Sequence, residues 1–191
     1  MLALDYKLAY SILQKASKCL SSKTKILYIF AGPNGSGKST LIANLYLNKK
    51  LDVEYVNADI YCKTIFANVL DETECNAKAM FYTTSKVQDY INLGKSFCYE
   101  TVFSHISKVD LIKKAKDNGY KIISTFVYTN SPLINIKRVQ KRVKQGGHNV
   151  PNEKIISRYK RSLELSKTLK QLSDIYNEFD NSKQQVTVTK I

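Results

Sequence analysis

The stretch FAGPNGSGKST, residues 30–40, restricts the possible folds of this chain more than any other segment. Gly32, Pro33, Asn34, Gly35, Ser36, Gly37, Lys38, Ser39 and Thr40 satisfy the spacing GxxxxGK[ST]. An apolar run, KILYIFAG, leads straight into them, and STLIANLYL follows. The order is strand, glycine loop, helix, which is the context that gives this spacing its meaning. Glycines let the backbone curl so that its N–H groups converge on an anion, and the helix start adds partial positive charge. The expected ligand is a nucleoside triphosphate, ATP with GTP as the alternative. Lys38 would bridge the β- and γ-phosphates, and the Ser39 hydroxyl would hold Mg²⁺.

The remaining sequence repeats the same alternation. VEYVNAD, KSFCYETVFS and YKIISTFVYT read as strands, separated by helical patterns over IYCKTIFANVL, residues 78–93, and KVDLIKKAKDNG. A long helix from about Asn152 to Leu172 precedes DIYNEFDNS, a last parallel strand, and QQVTVTKI, an edge strand. This pattern predicts an α/β fold with a parallel sheet covered by helices on both faces. Residues 1–191 are expected to form one domain, opened by an amphipathic helix over 1–22 that carries Leu4, Leu8, Ile12 and Leu20.

Thirty Lys and Arg against sixteen Asp and Glu give a net charge of +14, which favours anionic partners: nucleotides, nucleotide sugars or nucleic acid. No apolar run approaches the roughly 18 residues of a membrane span, so no membrane partner and a cytoplasmic location are expected. Cys19, Cys62, Cys75 and Cys98 are widely spaced, form no CxxC pair, and read as idle or buried thiols.

Three carboxylate and arginine segments give the loop something to act on. Dedicated P-loop ATPases carry an apolar strand ending in Asp, and the late strand IISTFVYTN has none. Asp59, ending VNAD, is instead a general-base candidate that would take the proton of an acceptor hydroxyl; its alternative is a helix N-cap. Glu100 and Thr101, in FCYETVFS, form an acceptor-site candidate, against an internal salt bridge for Glu100. In RVQKRVKQGGHNVPNEKIISRYKRSLEL, Gly146, Gly147 and Pro151 make a turn between a basic helix and the long one, the form of a lid over residues 136–172. At 100° per residue, Ile155, Ile156, Tyr159, Leu163, Leu165, Leu169 and Leu172 form an inward arc that contains Arg158 and is bordered by Arg161. Arg142 and Arg158 are candidates to neutralise the transferring phosphoryl group, and Arg161 to contact substrate. The alternatives are an internal ion pair for Arg158 and a solvated face for the other two. His148 reads as a surface or phosphate-side residue.

Taken together, GPNGSGKST, NAD, ETVFS, GGHNVPNEKIISRYKRSLEL and YNEFDNS resemble the zeta-toxin family of P-loop kinases, over roughly residues 26–182. The resemblance implies a P-loop kinase fold and, as in the characterised toxins, ATP- and Mg²⁺-dependent phosphorylation of UDP-N-acetylglucosamine on a sugar hydroxyl. It matches Lys38 to the loop lysine, Asp59 to the catalytic base, Glu100 and Thr101 to the acceptor segment, and Arg142 and Arg158 to the γ-phosphate arginines. It also implies an antitoxin protein as partner, with residues 3–20 as one docking surface. Two departures bear on the acceptor. This chain is shorter than the large toxins, and their acceptor segment carries an arginine soon after the threonine where Val102, Phe103 and Ser104 stand here, with Lys108 the nearest cation. A polynucleotide or nucleotide kinase, and a nucleotide-dependent binding module with slow ATPase activity, are the competing readings.

Overall fold

The structure, a computed structural model, describes residues 24–183. The expected N-terminal helix (1–22) and the edge strand QQVTVTKI lie outside these residues. Among them the order is β1 (Ile26–Ala31), α1 (Lys38–Leu47), β2 (Glu54–Val56), α2 (Ala58–Thr64), α3 (Glu72–Leu93), β3 (Phe97–Thr101), α4 (Ser107–Asp117), β4 (Lys121–Tyr128), α5 (Pro132–Lys144), α6 (Asn152–Leu172) and β5 (Ile175–Asp180). All strand pairs are parallel, in the order β2-β3-β1-β4-β5.

β1 is central because its residues, ILYIFA, can be buried on both sides. Leu27, Ile29 and Ala31 join a core with Val87 and Ile91 of α3, Ile112 of α4 and Leu169 of α6. Phe30, one pleat over, joins Leu41, Ile42 and Leu45 of α1. Helices therefore cover both faces, as the sequence pattern implies. α1 and α4 follow neighbouring strands but lie on opposite faces, which opens a crevice at the carboxyl ends of β1 and β3.

Several details correct the sequence reading. α3 begins at Glu72, not residue 78, because the Asp71 carboxylate accepts from the Glu74 N–H and caps it. On α6 the buried positions are Ile155, Tyr159, Ser162, Ser166 and Leu169, while Ile156 is exposed. The inward stripe is thus narrower than the arc of apolar residues and runs through two serines. Cys62 and Cys75 are not idle thiols: they are joined as a disulfide between α2 and α3, with Cα atoms 5.5 Å apart. Cys98 does fit that reading, since it is fully buried and burial raises its thiol pKa.

Candidate active site

A cleft of about 990 Å³ lies over the carboxyl ends of β1 and β3. Its lining includes Lys38, Ser39, Asp59, Glu100, Thr101, Arg142, Arg158 and Arg161, which come from separate segments of the sequence. Eight Lys and Arg side chains line it against three carboxylates, which makes it a site for a polyanion.

The loop between β1 and α1 is packed from behind. Gly32 has φ +141, and a Cβ there would lie 1.9 Å from the Val127 carbonyl oxygen, so only glycine fits. Gly35 has φ +76 and sits against the backbone of Asn135 on α5. Lys38 is 6% exposed, and its Nζ donates to the Pro33 carbonyl at 2.9 Å. Burial lowers its pKa, and the nearby Glu100 and Asp59 charges partly restore it. Lys38, Ser39 and Thr40 open α1, so their N–H groups belong to the first turn, which lacks intrahelical acceptors.

Glu100 has the partners a half-buried carboxylate requires, although they are neutral rather than basic. Its Oε1 accepts from Ser39 Oγ at 2.8 Å, and its Oε2 accepts from Asn57 Nδ2 at 2.7 Å and from the Tyr55 hydroxyl. The Tyr55 pKa is raised by burial and by this carboxylate. The salt-bridge alternative for Glu100 is therefore not realised. Its position explains the missing acid on the late strand: β3, not β4 alone, borders β1, and Glu100 pairs in register with Phe30 just before the loop. Ser39 Oγ and Glu100 Oε1 together present two hard oxygen donors of the kind Mg²⁺ takes, so the residues present fit that ion.

Asp59 is not the cap of its helix. Asn57 caps α2, its Oδ1 accepting from the Asp59 and Ile60 N–H groups, which leaves the Asp59 carboxylate exposed at the cleft. Thr101 is 8% exposed; its Oγ1 accepts from the N–H of Phe103, which stands at φ +53, an uncommon backbone state for a bulky residue. Ser162 Oγ of α6 donates to the next carbonyl, Val102. ETVFS is thus a built turn as well as a lining of the site.

Arg142 donates from Nη2 to the His148 carbonyl at 2.8 Å, and its Nε is buried with no hydrogen-bond partner. It fastens the turn between α5 and α6 while lining the cleft. The His148 ring meets Glu72 of α3, with Nδ1 2.6 Å from Oε1. The side chains of Arg158, half-buried, and Arg161, exposed, form no hydrogen bond or ion pair with another described residue, so the internal pair considered for Arg158 is not found. Arg138 escaped the sequence reading. It lines the same cleft and donates to the Asn181 carbonyl at 2.7 Å, and its i, i+4 spacing to Arg142 on α5 was the signal that could have found it.

A glycine loop, a buried loop lysine, a serine–glutamate oxygen pair and converging arginines at the edge of this sheet define a nucleotide-binding protein of the P-loop kinase fold. The profile of the family described as zeta toxin matches residues 10–188, and the chain belongs to that family. Among solved structures, it resembles a candidate kinase from Chloroflexus aurantiacus, with a TM-score of 0.61 and 18% identity over 84% of this chain and 90% of that one. It also resembles the PezAT chromosomal toxin–antitoxin system of Streptococcus pneumoniae, with a TM-score of 0.61 and 15% identity over 92% and 76% of the two chains. A third neighbour is the AvrRxo1-ORF1:-ORF2 structure with ATP, with a TM-score of 0.64 and 14% identity over 87% of this chain and 55% of that one. Among the described residues no helix is long and apolar enough to cross a membrane.

Proposed function

We propose that this protein is a kinase that transfers the γ-phosphoryl group of ATP to a hydroxyl of an anionic small molecule, with UDP-N-acetylglucosamine or a related nucleotide sugar as the acceptor. The observation that carries the reading is one cleft lined by both a phosphate loop and an exposed carboxylate, Asp59. The loop N–H groups and Lys38 hold the β- and γ-phosphates. Asp59 takes the proton as the acceptor oxygen bonds to the γ-phosphorus, the bond to the β,γ-bridging oxygen breaks, and that oxygen departs on ADP. Arg142 and Arg158, on α5 and α6, neutralise charge on the transferring group as the turn between them closes like a lid, an effect worth ~10³-fold or more for an arginine finger. Ser39 and Glu100 would hold Mg²⁺, which when bound offsets phosphate charge. Arg161 and Lys108 offer cations to the anionic part of the acceptor, in a segment that lacks the family's arginine. ATP use is supported by the loop and by the ATP-bound neighbour. An antitoxin partner is supported by the PezAT likeness.

The test is incubation with γ-labelled ATP, Mg²⁺ and a panel of nucleotide sugars. Label on UDP-N-acetylglucosamine with the wild type, and with neither Lys38→Ala nor Asp59→Asn, is the expected result. Label released only as free phosphate, equally with Asp59→Asn, would favour the slow ATPase reading and turn the search to macromolecular partners.

A further inference from the structure

Two buried carboxamides far from the loop in sequence grip it from behind. Asn135 of α5 is fully buried, and its Nδ2 donates to the Asn34 carbonyl at 2.6 Å. Asn181, just past β5, is 1% exposed, and its Nδ2 donates to the Ser36 carbonyl at 2.8 Å. A trans peptide plane points its C=O and N–H in opposite directions. Fixing the Asn34 carbonyl therefore fixes the Gly35 N–H, and fixing the Ser36 carbonyl fixes the Gly37 N–H, each turned away from its amide anchor.

Both anchors are themselves held. The Thr129 hydroxyl donates to Asn135 Oδ1, and Tyr159 of α6, the neighbour of Arg158, donates its hydroxyl to the Thr129 carbonyl at 2.6 Å. The Asn181 N–H donates to the Tyr128 carbonyl at 2.8 Å, and the Asn181 carbonyl accepts from Arg138 in the cleft. Asn181 Oδ1, however, is buried without a partner. A carboxamide left half-satisfied in a core position carries a desolvation cost, and the bond it does make goes to the phosphate loop.

We infer that Asn135 and Asn181 are positioning residues for nucleotide binding: they preset the loop N–H groups toward the phosphates, and the Tyr159–Thr129–Asn135 chain ties the arginine-bearing helix α6 to that loop. The inference rests on the nucleotide reading above.

The experiment measures ADP affinity by titration, together with the melting temperature of the nucleotide-free protein, for Asn135→Leu and Asn181→Leu. Ile112→Val, a core change on α4, controls for lost stability. Each leucine variant is expected to bind ADP about tenfold or more weakly, a larger loss than its change in melting temperature accounts for on the Ile112→Val line. That control is expected to bind ADP within about twofold of the wild type. Leucine variants that bind ADP as the wild type does, or whose loss of affinity follows melting temperature along the same line as Ile112→Val, would overturn the proposal. Should the leucine variants not fold, Thr129→Val, which removes the hydroxyl that meets Asn135 Oδ1 and the Ser131 carbonyl, takes their place, and unchanged ADP affinity then overturns it. A wild-type protein that binds no ADP would instead overturn the nucleotide reading on which all of this rests.

Discussion

The two banks of the cleft are built by different means. On the nucleotide bank, Ser36, Lys38, Asn135 and Asn181 are all buried, and the loop is bonded to α5 and to the end of β5. On the acceptor bank, α2 has no buried residue at all, Asp59 and Arg161 are exposed, and the turn carrying His148 meets α3 through Glu72, itself 62% exposed. The first bank resists deformation because its polar groups would be stranded by any shift. The second can move at little cost, as elements with few buried contacts do. A bank that reads a triphosphate needs one fixed geometry, whereas a bank that admits an acceptor and closes over it needs freedom.

The largest expected effect breaks the rigid bank alone. Lys38 is a buried cation whose hydrogen bond goes to a carbonyl rather than a carboxylate, and its lowered pKa records the cost of burying the charge. Lys38→Met keeps the length and removes that cost. Phosphoryl transfer is expected to fall by ~10³-fold or more while the nucleotide-free protein melts no lower than the wild type. The same burial gives a pH signature. A lysine whose folded pKa lies below its unfolded value destabilises the fold while charged, so this penalty diminishes as pH rises from the folded pKa toward 10.5. The stability difference between Lys38→Met and wild type should therefore narrow over that interval, measured by denaturant titration at stepped pH.

Next come the chemical groups facing the loop. Asp59→Asn is expected to lower transfer to the acceptor by ~10²- to 10⁴-fold with a much smaller change in ADP affinity, because among the described residues no hydrogen bond joins the carboxylate to the phosphate loop. Arg158→Ala should reduce kcat by ~10²-fold or more with a smaller change in the KM for ATP, the pattern of a contact made mainly in the transition state. Equal losses of ADP affinity in these variants would erase the distinction between the banks.

How much of this the sequence discloses follows the same division. The strand–loop–helix unit is legible because glycine spacing and strand periodicity are local, and the alternation of elements implies the parallel sheet. Asp59 is legible as an acid at a strand end, but its freedom from capping depends on Asn57 two residues earlier taking that role. Glu100 stands out as a carboxylate in an apolar strand; its pairing with Ser39 follows from β3 lying next to β1, an adjacency no local pattern encodes. Asn135 and Asn181 carry no signal, since a lone asparagine in a helix or after a strand looks like any surface polar residue until a contact 101 or 145 positions away is known.

The smallest effect tests what restrains the mobile bank. Cys62 and Cys75 tie α2, which carries Asp59, to the first turn of α3 across a separation of 13 residues. A link closing a loop of that size stabilises a fold by ~3 kcal/mol in the chain-entropy description, and it adds to the packing of Tyr61 against Tyr82 and the core and to the Asn57 cap. Reduction, or the Cys62→Ser/Cys75→Ser double variant, should therefore lower the melting temperature and raise the KM for the acceptor a few-fold through a less well placed Asp59. ADP affinity should change less, because the Asn135 and Asn181 anchors of the loop do not pass through α2, which reaches the loop by way of Asn57, Glu100 and Ser39. If reduction weakened ADP binding as much as acceptor binding, α2 and the phosphate loop would behave as one unit, and the cleft would have a single rigid wall rather than one fixed bank and one that yields.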